Sequence, residues 1–170
     1  MSQEGTHTLP QLRVLRTTHN EKGLSIFQSD TYPSSFSPFG PSKSSFTIFD
    51  SRPSIPVNNL DPIPSFDNKL PRCPPNGALF SLSDIKPGTV ATMHRTLSID
   101  YCIVLHGEIL IRLDGGEEKT VKAGEVIIQQ GTNHQWVNQT RETCRLLFVL
   151  LGAEKIVLGD GEALEETVFK

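Results

Sequence analysis

Two stretches decide the fold of this chain. One is Gly88-Thr-Val-Ala-Thr-Met-His94-Arg95-Thr96-Leu-Ser-Ile-Asp100-Tyr101-Cys102-Ile-Val-Leu-His106-Gly107; the other is Gly124-Glu-Val-Ile-Ile-Gln-Gln-Gly131-Thr-Asn-His134-Gln-Trp136-Val-Asn138. Both are short β-prone runs bounded by glycine, and each carries histidine among apolar residues. Successive strand residues face opposite ways, so His94 and Thr96 share a face, as do His134, Trp136 and Asn138. In the strand after His94, the residues Asp100, Cys102 and Val104 share a face, opposite Tyr101 and Ile103.

Outward from these stretches the pattern stays the same. Strands are expected at Ala78–Leu82, Val90–Thr96, Tyr101–Leu105, Glu108–Leu113, Lys119–Lys122, Val126–Gln129, His134–Asn138 and Arg145–Leu151. Turns at Lys86-Pro87-Gly88, Asp114-Gly115-Gly116 and Ala123-Gly124 separate them, glycine supplying the positive φ that tight turns require. Short strands at this spacing predict an all-β closed barrel or sandwich. The N-terminal part reads differently. Leu12–Thr17 and Leu24–Gln28 form a strand pair around a turn at 19–23, and 30–45 is rich in Ser, Pro and Phe without a period. Residues 51–77 are too proline-rich for a helix or central strand. They read as an extended strap laid over the barrel by Ile55, Val57, Leu60, Ile63, Phe66 and Leu70. The expected organisation is 1–77 as strand pair and strap, 78–152 as one barrel, and 153–170 as a tail that frays or forms a short helix. No internal repeat suggests a second barrel.

The bulk properties exclude several classes. A chain of 170 residues with 36% hydrophobic residues can bury one sizeable core. Its net charge of −3 gives no footprint for nucleic acid. No apolar run approaches the ~20 residues that span a bilayer. Cys73, Cys102 and Cys144 lack zinc-like spacing and read as reduced thiols, which with a polar N-terminus predicts a cytoplasmic protein. Asn138-Gln-Thr140 matches a glycosylation acceptor, a triplet that arises often by chance.

The two motifs resemble those of the cupin superfamily. In that family's first motif, Gly is followed after five residues by His-x-His, after three more by Glu and after six by Gly. Here His94, Thr96, Asp100 and Gly107 hold those places, and the second motif supplies His134 and Asn138. The resemblance, over about residues 85–152, implies a single jelly-roll barrel in which His94, Asp100 and His134 converge. Over most of its length the chain also resembles small fungal cupins called oxidoreductases of secondary-metabolite pathways, often encoded beside polyketide synthases.

Two readings of the site stay open. His94, Asp100 and His134 form a two-histidine, one-carboxylate set suited to iron, zinc, nickel or manganese. The same residues, with no metal, form a polar cluster suited to proton transfer, because imidazole titrates near neutrality and a carboxylate can orient it. Thr96 is a poor ligand, and Asp100 is one methylene shorter than glutamate. The substrate pocket is expected to include Thr96, Cys102, Trp136 and Asn138, with Trp136 also suited to the core. His106 is expected at the rim, Tyr101 outside, Arg95 at the surface, and His7 and His19 in solvent. The leading expectation is a cupin-type oxidoreductase acting on a polyketide-derived intermediate. The alternatives are a metal-free dehydratase, isomerase or cyclase, and a non-catalytic binding protein. A homodimer built through the N-terminal strands is expected, since an isolated hairpin is marginal in water.

Overall fold

The computed structural model describes residues 8–66 and 69–168. Among these, ten strands form three antiparallel sheets. The strands are β1 (Val14–His19), β2 (Ser25–Thr31), β3 (Ser44–Arg52), β4 (Ala78–Ile85), β5 (Ser98–His106), β6 (Glu108–Leu113), β7 (Glu118–Lys122), β8 (Val126–Gln130), β9 (His134–Val137) and β10 (Cys144–Gly152). A five-stranded sheet of order β3-β4-β10-β5-β8 faces a three-stranded sheet of order β7-β6-β9, and β1-β2 is a separate hairpin. This is an all-β jelly roll.

Alternation builds the core. On β5 the side chains of Ser98, Asp100, Cys102 and Val104 are buried, while Tyr101, Ile103 and Leu105 are exposed. Cys102, Val104, Cys144, Leu146 and Ile85 from the larger sheet meet Ile109, Ile111 and Trp136 from the smaller one. Burying an aliphatic side chain of this size stabilises the fold by about 1.5–3 kcal/mol, so the facing sheets are the main source of stability. One end of the larger sheet holds a buried ion pair. Arg145 Nε and Nη2 each donate to Asp84 at 2.7 Å, and Nη1 donates to the Pro10 carbonyl, also at 2.7 Å.

Three elements differ from the sequence reading. β3 lies within what reads as aperiodic chain and strap, yet pairs with β4 at the edge of the larger sheet. A register shift between Ile48 and Asp50 breaks its alternation, which hides it from a period-2 pattern. The expected strand Val90–Thr96 pairs with β9 only through isolated bridges at Val90 and His94. The tail has a bridge between Val157 and Ala163 and no helix among the described residues. The hairpin turn falls at 20–24, where Asn20 Oδ1 accepts from the Lys22 and Leu24 amides. No helix of the described residues is long and apolar enough to cross a membrane.

Candidate functional site

Between the sheets lies a cavity of about 420 Å³, with His94, Thr96, Asp100, His134 and Trp136 in its wall. Backbone pairing brings the two histidines together. The segment from Gly88 to His94 runs antiparallel to β9: Ala91 N donates to Trp136 O at 2.9 Å, and His94 and His134 exchange amide bonds of 2.8 and 2.9 Å. Side chains directly opposite on paired strands stand on one face. The imidazole centroids are therefore 4.3 Å apart, at 53°. Trp136 stands edge-on to His134 at 5.3 Å and to Phe148 at 6.0 Å, fixing the ring within an aromatic wall.

Each imidazole is oriented by a backbone carbonyl. His94 Nδ1 lies 2.8 Å from Thr92 O, and His134 Nδ1 lies 3.0 Å from Thr132 O. A carbonyl can only accept, so Nδ1 carries the proton in both neutral rings and Nε2 is the lone-pair nitrogen. Burial lowers the pKa of His94. His134 is pushed down to about 4, first by burial and then by the neighbouring His94. The pair is neutral at pH 7 and resists carrying two protons.

Asp100 stands on β5, across the cavity. It accepts from Ser98 Oγ at 2.5 Å and, more weakly, from Thr96 Oγ1 at 3.4 Å. Burial raises its pKa, and the bonds from Ser98 and Thr96 offset part of that rise. The expected role of orienting a histidine falls instead to Thr92 and Thr132. Nor do the three expected ligands assemble: among the described residues, no group of three or more His, Cys, Asp or Glu side chains is placed to hold a metal ion. The reason is positional, since Asp100 is held within its own strand by Ser98 while the histidines line the opposite wall. The donor set therefore does not fit a three-ligand metal centre.

Of the expected pocket residues, Thr96 and Trp136 line the cavity, whereas Cys102 and Asn138 do not. Cys102 is fully buried in the core, where burial pushes its thiol far above neutral pH. Asn138 clamps a loop: its Nδ2 donates to Ile85 O and Glu142 O at 2.8 Å, and its Oδ1 accepts from Thr140. Alternation gives the correct face for both, but they lie beyond the depth of the cavity. Arg95, expected at the surface, lines the cavity and donates from Nε to Gly131 O at 3.0 Å. His106 is half-exposed at the end of β5 near Glu142, Tyr101 faces outward and His19 is exposed. His7 lies outside the described residues. Sequence reasoning missed Phe148 of β10, Arg72 of the strap, and Glu166 and Thr167 of the tail, which also line the cavity. Phe148 was within reach of strand alternation; the others come from irregular segments that carry no periodic signal.

The cupin domain model matches residues 81–150. Phomopsin biosynthesis cluster protein C' of Diaporthe leptostromiformis is 34% identical over 165 residues, covering 91% of this chain and 87% of that protein. The cupin-domain-containing oxidoreductase virC of Hypocrea virens is 30% identical, over 88% of this chain and 80% of its own. Among solved structures, the cupin domain of Schizosaccharomyces pombe Cnp3 superposes with a TM-score of 0.54 at 12% identity, covering 82% of this chain and 87% of that one.

Proposed function

The chain belongs to the cupin family, and on that premise we propose that it is a small-molecule enzyme of secondary metabolism with its reaction centre at the His94–His134 pair. The relative named for the phomopsin biosynthesis cluster supports the setting. The observation that carries the reaction class is the pair of neutral imidazoles, His134 buried and His94 half-buried, with centroids 4.3 Å apart and each with Nδ1 tied to a carbonyl. Such a pair can take one proton from a substrate carbon or hydroxyl at Nε2, and mutual repulsion favours its return within the same turnover. Asp100, whose pKa burial raises, lines the same cavity and accepts from Ser98 and Thr96, so it adds a polar group for the substrate beside the pair. This is the equipment of a dehydratase, isomerase or cyclase, and a polyketide-derived intermediate is the substrate class we propose. The test is the metabolite profile of the source organism with the gene deleted and then restored as His94→Ala or His134→Ala. Each variant is expected to leave the same intermediate accumulating as the deletion does.

A second reading, an oxidoreductase using iron, zinc, nickel or manganese, draws on the names of the relatives and on the two imidazoles. Metal analysis of tag-free protein, purified without chelator, separates the two. Close to one equivalent of a single metal, lost in His134→Ala, favours this reading; substoichiometric content of every transition metal ends it.

We also propose that the chain acts as a homodimer. Among the described residues, the β1–β2 hairpin forms a sheet of its own, and it is tied to β3 through Arg16, which bonds Asp50 and the Phe49 carbonyl. Ile26 and Phe27 remain exposed on it, as do Phe80, Val149, Tyr101 and Ile128, which sit in register across the outer face of the larger sheet. A two-fold partner would cover these apolar side chains.

A further inference from the structure

We propose that the cavity mouth binds the anionic end of a carboxylic-acid substrate on Arg72, in the place held by the Glu166 side chain of the chain's own tail. This deepens the reading of the cavity as the substrate site and rests on it. The mouth is built from segments far apart in sequence: Lys43 before β3, Arg72 in the strap, Arg95 beside His94, and Glu166 and Thr167 in the tail. Arg72 Nη1 meets Glu166 Oε2 at 3.1 Å. The tail is set there by two bonds, Thr167 N to Arg95 O at 2.9 Å and Arg95 N to Thr167 Oγ1 at 2.8 Å.

The charges do not balance. Among the described residues, three cations line the cavity against the Glu166 carboxylate, and they stay in excess even with Asp100 counted as ionised. Lys43 has no carboxylate within ion-pair distance among the described residues, and Arg95 has only Asp114, at 3.9 Å. This positive mouth belongs to a chain of net charge −3, so it is a local feature and not a consequence of composition. Behind it the wall is apolar, with Leu79, Ile85, Trp136, Phe148 and Leu150. An apolar wall with a cationic rim selects an amphipathic ligand, apolar or aromatic in body and anionic at one end. Arg72 and Glu166 have side chains 44% and 31% exposed. A pair so open to solvent holds weakly, so an incoming carboxylate can replace Glu166 on the same guanidinium. The tail thus acts as a tethered competitor, held at high effective concentration.

The experiment uses the full chain and two probes of one shape, 3-phenylpropanoate and 3-phenylpropanamide. Binding is followed through the fluorescence of Trp136, the single tryptophan of the protein and part of the cavity wall. The acid is expected to bind about tenfold more tightly than the amide, a preference that shrinks as salt is added. Arg72→Gln should erase the preference. Glu166→Gln should tighten the acid about threefold or more and leave the amide unchanged, because it removes the competitor. Equal affinities for acid and amide, failure of the acid to bind, or an unchanged acid affinity in Glu166→Gln would each overturn the proposal. Binding needs no turnover, so these results are independent of the histidine variants. An acid preference retained in His134→Gln, in a protein that makes no product, separates the anion site from the reaction centre.

Discussion

At the His94–His134 pair, burial and proximity act in the same direction, and this makes the pair a liability in acid. The His134 pKa is about 4 in the fold against 6.5 in an open chain. The unfolded chain therefore binds more protons between those values, and the stability contributed by neutral His134 is complete above pH 6.5 and lost as the pH falls toward 4. At about 1.4 kcal/mol per unit the loss reaches roughly 3 kcal/mol. Asp100 works the other way: its raised pKa gives a contribution present below 3.8 and lost as the pH rises through its folded value. Thermal melts of wild type and His134→Gln across pH 4–7 isolate the histidine, and wild type should lose stability relative to the variant as the pH falls. A difference independent of pH would contradict the neutral, buried assignment. His94, Thr96, Asp100, His134 and Trp136 are legible in the sequence because strand alternation and motif spacing place them on inward faces. Cys102 and Asn138 pass the same test and fail in the fold, since alternation gives a face and not a depth. Arg72 and Glu166 were illegible because the mouth is made by tertiary contact between aperiodic segments.

Among the elements, the larger sheet depends on what ties its ends down. Arg145 and Asp84 join β10 to β4 with side chains only 7% and 14% exposed. Arg145→Met should cost about 3–5 kcal/mol, because it leaves the Asp84 carboxylate buried without its counter-ion. The double variant Arg145→Met with Asp84→Leu should recover much of that loss, and urea unfolding measures both. At the other end Gly152 closes β10 against the strap, where an added Cβ would sit 2.1 Å from the Pro75 carbonyl oxygen. Gly152→Ala forces that backbone away, at a cost of about 1–3 kcal/mol in the same measurement. The strands from Ala78 onward are legible because each is short, alternating and closed by a turn. β3 is not, since its bulge and its serine-rich start hide a strand that only pairing with β4 stabilises. The stretch from Val90 to Thr96 reads as a strand but holds only isolated bridges, because it leaves β9 after His94 to reach Asp100 on the facing sheet.

At the scale of the whole molecule, two apolar outer surfaces and one interior cavity divide the work. The hairpin and the outer face of the larger sheet carry Phe27, Ile26, Tyr101 and Ile128 in solvent. Light scattering on the full chain should report a dimer at micromolar concentration, and the double variant Ile26→Asp with Phe27→Asp should dissociate it while leaving the barrel folded. A wild-type monomer would end the homodimer proposal. The interior carries the central claim, that chemistry takes place at the two imidazoles inside the barrel. The most direct test is the metabolite profile of the source organism when its gene is replaced by His134→Gln, with folded protein confirmed at the wild-type level. The expected result is loss of the same product, and accumulation of the same intermediate, as in a full deletion. A wild-type profile from the folded His134→Gln protein would contradict it.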